Sequence, residues 1–289
     1  MFSMKFVEIY IIGLVFLTVI SFSLLPNNSE GLLDVYFFDI GQGDSIFVET
    51  IDGKQILIDG GPNNYVIQKL GKVMSFNDKS IDILIISHTD VDHITGLVEV
   101  LERYDVDLII RSNISCETSL CLALEEKISE EDARVWFVDA GDYIDLGHGS
   151  YMKILYPFDD EIYNGKPNNN SVVVRLVAGE DSLLLTGDIE KKIESKLLYS
   201  ESDISADYLK LAHHGSKTST SEVFLNAVSP SFAFIEVGDN YYGHPNEQVL
   251  MRLEKRGIKY YRTDKDGDIR LIMGNHVDSS RIMVFTIPY

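Results

Sequence analysis

Short apolar runs separated by glycine-containing turns begin after residue 31. The runs Leu32–Phe38, Ser45–Glu49 and Gln55–Ile58 are rich in β-branched and aromatic residues, which is typical of strands. The turns between them carry Gly-Gln-Gly and Asp-Gly, and the second of these favours a tight hairpin. The pattern therefore predicts that a β-sheet opens the folded part of the chain.

From residue 65 the apolar spacing becomes helical. Val66, Leu70 and Val73 recur at intervals of three and four residues, which predicts a helix over Tyr65–Val73. Strands and helices then alternate, and this alternation predicts an α/β domain. Gly96 is expected to permit a tight entry from strand to helix. The predicted elements here are strands Ile81–Ile86, Val106–Ile110 and Val135–Val138, and helices Gly96–Arg103 and Leu120–Ile128.

The second half continues the alternation from about Tyr151. Val172–Val177 and Ser182–Leu185 flank a four-residue turn, which predicts a hairpin. Tyr260–Arg262 and Ile269–Met273 are predicted to form a closing hairpin around an Asp-Lys-Asp-Gly-Asp turn, since the glutamate that ends a calcium loop is absent from it. The other predicted elements are strands Tyr151–Tyr156, Leu209–Ala212 and Phe232–Ile235, and helices Ile189–Tyr199, Ser221–Val228 and Asn246–Lys255.

The first 25 residues differ from the rest in composition. Ile9–Leu25 is a run without a charged residue, and as a helix it would be about 26 Å long, close to the thickness of a bilayer core. It predicts a membrane anchor, and Lys5 before it places the following body outside the cytoplasm by the positive-inside rule. A cleaved signal segment and a secreted protein are the alternative. Residues 26–31 are predicted to be a polar linker, and residues 32–289 one catalytic domain.

Composition limits the function classes. The chain of 289 residues has 45% hydrophobic and 24% charged residues, as expected of a globular domain with a large core. Its formal net charge of −20 argues against tight, sequence-independent binding of a polyanion, because Lys and Arg contacts to phosphates supply most of that affinity. A nucleic-acid substrate would therefore need metal ions to offset the negative charge.

Candidate metal ligands follow the predicted strand Ile81–Ile86 at once. His88, Asp90, Asp92 and His93 lie within six residues. A loop leaving a strand can turn the first two toward one ion and the last two toward another, which predicts a site for two metals. The alternative is a solvated polar loop stabilised by local side-chain hydrogen bonds.

Further candidate ligands follow predicted strands in the second half. Asp188 is placed to bridge two cations, although it could instead cap the next helix. Adjacent His213 and His214 point in different directions, so at most one of them would bind the same ion. The alternation of Leu209 and Leu211 with His213 favours His213 as that ligand.

Several polar residues suggest substrate or support roles. Ser216 and Lys217 offer a hydroxyl group and a cation that can hold a phosphate, although a solvated helix start also explains Lys217. His244 precedes a proline and is expected to lie outside any helix, free to contact the substrate. Asp59 ends a predicted strand and could accept backbone hydrogen bonds or orient a metal-bound histidine.

The stretch from His88 to His93 resembles the HxHxDH signature of the metallo-β-lactamase superfamily, with Asp90 in place of the second histidine. Within that superfamily the chain is similar to the hydrolase domain of ComEC-type competence proteins, from about Leu33 to about Leu271. Segments that match in the same order are Asp39–Ser45, Leu57–Gly61, Asn169–Ser171, Leu185–Asp188, Leu211–Ser216, Gly243–Pro245 and Thr263–Gly267.

The resemblance implies a fold and an activity. The fold would be a four-layer αβ/βα sandwich with two mixed sheets, preceded here by the N-terminal hydrophobic helix. The activity would be hydrolysis of a phosphodiester substrate with two divalent ions, in the specific form of a nuclease acting on DNA outside the membrane. From the matching segments, Asn170 would bind the substrate, Asp44 would support the ligands, and His214, which directly precedes a glycine, would be a ligand. Both histidines of the 213/214 pair therefore stay candidates.

The ligand assignment combines these observations. The first ion receives His88 and Asp90, the second receives Asp92, His93 and His213 or His214, and Asp188 bridges them. Asp90 in place of a histidine shifts the site toward oxygen ligands, so manganese is a candidate beside zinc. The catalytic residues would be Asp92, His244 and Lys217, and the substrate contacts Asn170, Ser216, Lys217 and His244.

Two departures from the superfamily pattern matter. The superfamily supplies one more histidine ligand between the main motif and the bridging aspartate, but the only histidine in that interval is His148, which is predicted to be a surface turn residue. The first ion is thus one ligand short. Hydrolysis of a β-lactam or another ester, and a non-enzymatic metal-dependent binding module, are the alternatives, and Asp90 with the missing histidine argues against a β-lactamase.

The only two cysteines are Cys116 and Cys121. Two thiols do not make a zinc site by themselves. Export would place them in an oxidising compartment, which favours a local disulfide over a pair of free thiols.

Overall fold

A computed structural model describes residues 33–114, 116–158, 167–274, 280 and 282–285. The predicted hydrophobic helix over residues 1–25 and the linker over residues 26–31 lie outside the described residues. Within the described ranges, no helix is long and apolar enough to cross a membrane.

The first sheet has eight strands with mixed pairing. The strands are β1 (Leu33–Phe37), β2 (Ile46–Thr50), β3 (Gln55–Ile58), β4 (Ser80–Ile86), β5 (Asp105–Arg111), β6 (Arg134–Phe137), β14 (Asp268–Met273) and β15 (Ile282–Phe285). Their order is β15-β14-β1-β2-β3-β4-β5-β6. Pairing is antiparallel from β15 to β3 and parallel from β3 to β6. The parallel half therefore directs the carboxyl ends of β3 and β4 to one edge.

The second sheet has seven strands and is also mixed. The strands are β7 (Tyr143–Gly147), β8 (Ser150–Tyr156), β9 (Val173–Ala178), β10 (Asp181–Leu185), β11 (Tyr208–Lys210), β12 (Phe232–Ile235) and β13 (Lys259–Arg262). Their order is β13-β12-β11-β10-β9-β8-β7. Pairing is parallel from β13 to β10 and antiparallel from β10 to β7. Strands β10 and β11 thus end at the same edge of their sheet.

The described ranges contain seven α-helices, of which the first six cover the outer faces of the sheets. They are α1 (Tyr65–Val73), α2 (Val91–Leu101), α3 (Ser119–Glu130), α4 (Lys191–Tyr199), α5 (Glu222–Val228), α6 (Glu247–Lys255) and α7 (Thr263–Asp266). Two short 3-10 helices, Pro167–Asn170 and Ala212–Gly215, follow β8 and β11.

Three hydrophobic cores separate four layers. The central core lies between the sheets, where the rings of Phe37 on β1 and Phe234 on β12 stack with centroids 4.3 Å apart. A second core joins the first sheet to α1, α2 and α3, and a third joins the other sheet to α4, α5 and α6. The expectation of an α/β fold with two mixed sheets is confirmed.

Helix α2 begins earlier than the sequence pattern predicts. It starts at Val91 instead of Gly96, so Asp92 and His93 lie in its first turn and not in a loop. Gly96 serves close packing instead of the strand-to-helix entry: a Cβ there would lie 2.0 Å from the Gly60 carbonyl oxygen. The glycine therefore lets the helix that carries two candidate ligands contact the backbone after β3.

The predicted closing hairpin is wrong. Strand β13 pairs in the second sheet and β14 in the first, with α7 between them. Asp268, the first residue of β14, is buried, and its carboxylate accepts a hydrogen bond from Lys69 Nζ on α1 at 2.9 Å and from the Asp39 N–H at 2.8 Å. These contacts draw the chain from one sheet to the other. Strands β7 and β15 were not predicted from the sequence pattern.

Candidate metal centre

Side chains from four strand ends meet at one place. Asp59 follows β3, the His88–His93 stretch follows β4 and opens α2, Asp188 follows β10, and His213 and His214 follow β11. Ligand sites of open α/β sheets commonly lie outside the carboxyl ends of the strands. The fold therefore brings residues separated by more than 120 positions into one cluster.

Four atoms in this cluster have the separations that one cation requires. Asp188 Oδ2 lies 3.5 Å from His93 Nε2 and 3.4 Å from His214 Nε2, and His214 Nε2 lies 3.3 Å from Asp92 Oδ2. Ligands bonded at 2.0–2.1 Å in a tetrahedron are about 3.4 Å apart. The imidazole Nε2 atoms of His93 and His214 are buried and make no hydrogen bond with the described residues. The four side chains thus fit a divalent metal ion.

A second group of candidate ligand atoms lies near the first. His88 Nε2, which is also buried without a hydrogen bond among the described residues, is 3.6 Å from Asp90 Oδ2. His213 Nε2 lies 3.9 Å from Asp188 Oδ2 and 3.5 Å from the Asn168 side-chain amide. Burial lowers the pKa of His213, and the charges of His214 and His88 lower it further against the opposing effect of Asp188. These groups offer nitrogen and oxygen ligands for a second cation.

Hydrogen bonds to the opposite ring nitrogens orient the candidate histidines. His93 Nδ1 lies 2.8 Å from Asp59 Oδ2, and His214 Nδ1 lies 2.8 Å from the carbonyl oxygen of Glu236. Because a carboxylate and a carbonyl only accept, both Nδ1 atoms carry the proton and both Nε2 lone pairs face the cluster. Asp59 also accepts the Ser87 N–H at 2.8 Å, so it accepts a backbone hydrogen bond and orients the His93 ring as well.

The backbone explains why the pattern of alternation did not separate the two histidines. His213 and His214 both have left-handed φ angles, 54° and 52°, which non-glycine residues seldom adopt. This turn directs His214 into the buried cluster and leaves the His213 side chain partly exposed. Simple strand alternation therefore does not apply at this point.

The carboxylates of the cluster attract positive charge. Burial opposes protonation of His214, but Asp188 and Asp44 outweigh it and raise the pKa of the ring to about 10. Burial likewise opposes the charged form of His93, yet Asp188 and Asp59 raise its pKa well above the usual range. Burial favours neutral Asp92, but its close contact with His214 and the charge of His93 lower its pKa to about 2. The cluster therefore favours a cation, either a proton or a metal ion.

Behind the ligands lie three buried ionisable side chains, Asp44, Lys210 and Glu236, which the sequence motifs do not indicate in full. Lys210 Nζ on β11 contacts the Asp44 carboxylate and lies 4.0 Å from Asp188 Oδ1. Asp44 Oδ1 is 3.2 Å from His214 Nδ1, so this carboxylate lies beside a candidate ligand. Burial, reinforced by Asp44, raises the pKa of Glu236 well above the usual range. Glu236 Oε1 accepts the Ser45 N–H at 2.9 Å.

A cleft of about 300 Å³ opens onto the candidate ligands. His244 lines it, as predicted, and its ring lies 5.4 Å from that of His213. Burial and the charges of His213 and His214 lower the pKa of His244 to about 4, so its ring is neutral at pH 7. The lining residues are Gln42, Asp90, Asp92, Asn168, Asp188, His213, His214, Tyr242 and His244.

Three predicted substrate residues do not line this cleft. Lys217 is exposed, and its carbonyl oxygen accepts a hydrogen bond from Lys191 Nζ. Ser216 is buried, and its hydroxyl group pairs with Thr218 Oγ1 at 3.0 Å within the same turn. Asn170 is buried in a 3-10 helix. The structure therefore places these side chains outside the lining of this cleft, and their contact with a substrate stays a prediction.

The cleft contains residues that sequence reasoning missed. Asn168, two positions before Asn170, presents its amide to His213, and Gln42 and Tyr242 line the opening. The Asn-Asn-Asn run at positions 168–170 was the only signal for Asn168. Gln42 and Tyr242 lie inside or beside matched motifs, but nothing in their spacing indicates which side chain enters the cleft.

Two other predicted features are present. Cys116 and Cys121 are joined by a disulfide with a Cα separation of 5.4 Å, within the ordinary range. His148 is exposed in the turn between β7 and β8, as predicted, and pairs with Asp52 at 2.8 Å. Neither feature contributes a ligand to the cluster.

Comparison with known proteins places this geometry in context. The sequence profile of the Metallo-beta-lactamase superfamily matches residues 38–235. The chain is 33% identical over 273 residues to ComE operon protein 3 of Bacillus subtilis, covering 86% of this chain and 34% of that protein. It is 33% identical over 267 residues to Competence protein ComA of Neisseria gonorrhoeae, covering 90% and 35%. The resemblance to ComEC-type competence proteins is confirmed, and the chain spans about a third of the length of these relatives.

A solved structure supports the fold alone. CmlA, a diiron β-hydroxylase from Streptomyces venezuelae, matches with a TM-score of 0.53 and 14% identity over 83% of this chain and 54% of that one.

Proposed function

The chain belongs to the metallo-β-lactamase superfamily, and from that premise we propose that it is a metal-dependent phosphodiesterase of the ComEC type that cleaves DNA. The observation that carries the proposal is the group of Asp92, His93, Asp188 and His214 beside an open cleft, in which Asp188 Oδ2 lies 3.5 Å from His93 Nε2 and 3.4 Å from His214 Nε2, and His214 Nε2 lies 3.3 Å from Asp92 Oδ2. A binding module would not need open space next to such a site. The metal-dependent hydrolase fold and the cleft together favour an enzyme.

We assign the ligands to two ions. Asp92, His93 and His214 would hold one, His88, Asp90 and His213 would hold the other, and Asp188 would be available to both. His213 thereby supplies the ligand that the motif pattern left missing. Mixed nitrogen and carboxylate ligands suit manganese as well as zinc. When bound, two such ions supply a nucleophilic water at neutral pH and Lewis-acid stabilisation of the phosphoryl oxygens.

Residues of the chain itself orient and stabilise the substrate. His244 lies across the cleft from the carboxylates and, as a neutral imidazole, can donate a hydrogen bond to a phosphoryl oxygen that gains negative charge in the transition state. Asn168 lies in the lining of the same cleft, with its side-chain amide 3.5 Å from His213 Nε2. Asp59 keeps the His93 proton on Nδ1. These groups position the reactants and need no contribution from Lys217.

Cleavage assays with the full-length protein test the proposal. The protein, loaded with Mn²⁺ or Zn²⁺, is incubated with a bis-aryl phosphodiester, single-stranded DNA and a chromogenic β-lactam. We expect cleavage of the first two substrates, its loss in Asp188→Asn, and its retention in Asp203→Asn, where the exposed carboxylate bonds only with nearby Ser205 and Arg175 among the described contacts. Cleavage of the β-lactam alone would contradict the proposal.

We also propose that residues 1–25 anchor the protein to a membrane with the catalytic domain outside the cytoplasm. The uncharged run Ile9–Leu25 and the disulfide between Cys116 and Cys121 support this, because disulfides persist in oxidising compartments. Protease treatment of intact cells should digest the catalytic domain. A domain protected from protease, or a shortened soluble form released to the medium, would contradict the anchor.

A further inference from the structure

Two exposed tyrosines stand at the mouth of the cleft. Tyr242 lines the cleft, yet 76% of its surface is exposed, and its neighbour Tyr241 is fully exposed. We propose that Tyr242, with Tyr241 beside it, is a stacking platform for a base of single-stranded nucleic acid. The inference rests on the proposed phosphodiesterase function and names the strand form that the site would accept.

The ring of Tyr242 contacts the ring of His244, the candidate catalytic residue. It stacks on the ring of His244, with centroids 5.9 Å apart and planes inclined by 28°. His244 in turn faces His213. A base lying on the Tyr242 ring would therefore place its own backbone near the cleft that contains Asp188 and His213. Exposed aromatic side chains at such a position mark binding sites more often than scattered surface residues do.

The backbone around the ring is held in place before any substrate binds. The Asn240 side-chain oxygen accepts the N–H groups of Tyr242 at 3.1 Å and His244 at 3.0 Å. Its amide donates to the carbonyl oxygens of Gly238 and His244, each at 2.8 Å. Because one side chain ties both ends of this loop, the tyrosine backbone is pre-organised and less conformational entropy is lost on binding.

Charge favours stacking over phosphate contacts as the source of affinity. The chain has a formal net charge of −20, and the cleft lining given above contains three aspartates but neither Lys nor Arg. Contacts from Lys and Arg to phosphates supply most non-specific affinity for nucleic acids, so a polyanion needs another attraction here beyond the metal ions. Aromatic stacking is available for every base, but only where the base is not already paired and stacked in a duplex. The site therefore fits a single strand.

The test compares a base-bearing strand with an abasic strand of the same length and phosphate count. Both carry phosphorothioate linkages that resist cleavage and the same fluorophore, and the Kd for the full-length, Mn²⁺-loaded protein is measured by anisotropy. Wild type should bind the base-bearing strand more tightly. Tyr242→Leu should weaken that binding about 5- to 100-fold, the range expected for losing one stacked base, and leave the abasic Kd unchanged.

Two variants control the experiment. Tyr242→Phe keeps the ring and should retain wild-type binding. Tyr199→Leu removes a tyrosine that is 91% exposed and does not line the cleft, and it should leave both Kd values unchanged. Metal content is measured for each variant so that a disturbed site is detected separately.

The outcomes separate this inference from the proposed function. Equal Kd values for the two strands in wild type, or an equal loss for both in Tyr242→Leu, would overturn the platform. Equal binding of duplex and single-stranded DNA would also overturn it. Failure of the proposed function would appear elsewhere, as absence of cleavage of unmodified DNA, whatever the Kd values are.

Discussion

Asp59→Asn changes one atom behind the candidate metal centre. Asp59 has a left-handed φ of 59°, a conformation that asparagine tolerates, so the substitution adds little backbone strain. The carboxylate now accepts from the Ser87 N–H through Oδ1 and from His93 Nδ1 through Oδ2. An asparagine has one acceptor oxygen and one NH₂ group, so it cannot accept both bonds. One of the two buried donors must lose its partner.

The expected magnitude follows from this conflict. If the NH₂ group faces His93, the ring proton moves to Nε2, which is the atom that would bind the metal. Loss of such a supporting carboxylate lowers metal affinity about 10- to 100-fold, or about 1.4 to 2.8 kcal/mol. At a metal concentration 100 times the wild-type Kd, binding stabilises the fold by about 2.7 kcal/mol, and a 100-fold weaker site retains only about 0.4 kcal/mol.

Calorimetric titration of the metal-free protein with Mn²⁺ measures the affinity, and thermal unfolding with and without metal measures the stabilisation. Asp52→Asn is the matched control, because Asp52 also pairs with a histidine, His148, at 2.8 Å, but both side chains are exposed. It should bind metal like wild type. Wild-type affinity in Asp59→Asn would refute the reasoning that this carboxylate orients His93 as a ligand.

Three further variants separate the roles of other residues. His244→Ala should lower turnover about 10²–10⁴-fold and keep the metal content, and metal loss would instead make it a ligand. His213→Ala should reduce the metal content, measured by elemental analysis, to one ion per chain. Retention of two ions would show that His213 is not a ligand and leave His214 as the only ligand of the pair. Lys69→Met, which breaks the fully buried pair with Asp268 at 2.9 Å, should lower the free energy of unfolding by about 3–5 kcal/mol in denaturant titration, and a loss below 1 kcal/mol would contradict the burial.

Local patterns were enough to predict most elements and the main ligand stretch. The apolar run before His88 forms strand β4 as predicted, because burial on both faces of a parallel strand requires a continuous apolar sequence. The matched motifs also indicated Asp44, Asp59 and His244. Asp44 and Asp59 lie beside strand ends, where local sequence and position in the fold are linked, whereas His244 lies in the loop between β12 and α6.

What could not be predicted depends on contacts between distant parts of the chain. Lys210 contacts Asp44 across 166 positions, and a lysine in a short apolar strand gives no local sign of a buried partner. The start of α2 at Val91 depends on packing of Gly96 against Gly60. The choice between His213 and His214 depends on two left-handed backbone angles, which are uncommon for any residue other than glycine.

The central claim is that two divalent ions bind at Asp188. Crystals of the full-length protein grown with Mn²⁺ allow both ions to be located by anomalous scattering, and elemental analysis of the same protein gives their number. We expect two ions per chain about 3.5–4 Å apart, one beside His93 and His214 and one beside His88. A metal content near zero, or anomalous peaks away from Asp188, would contradict the account.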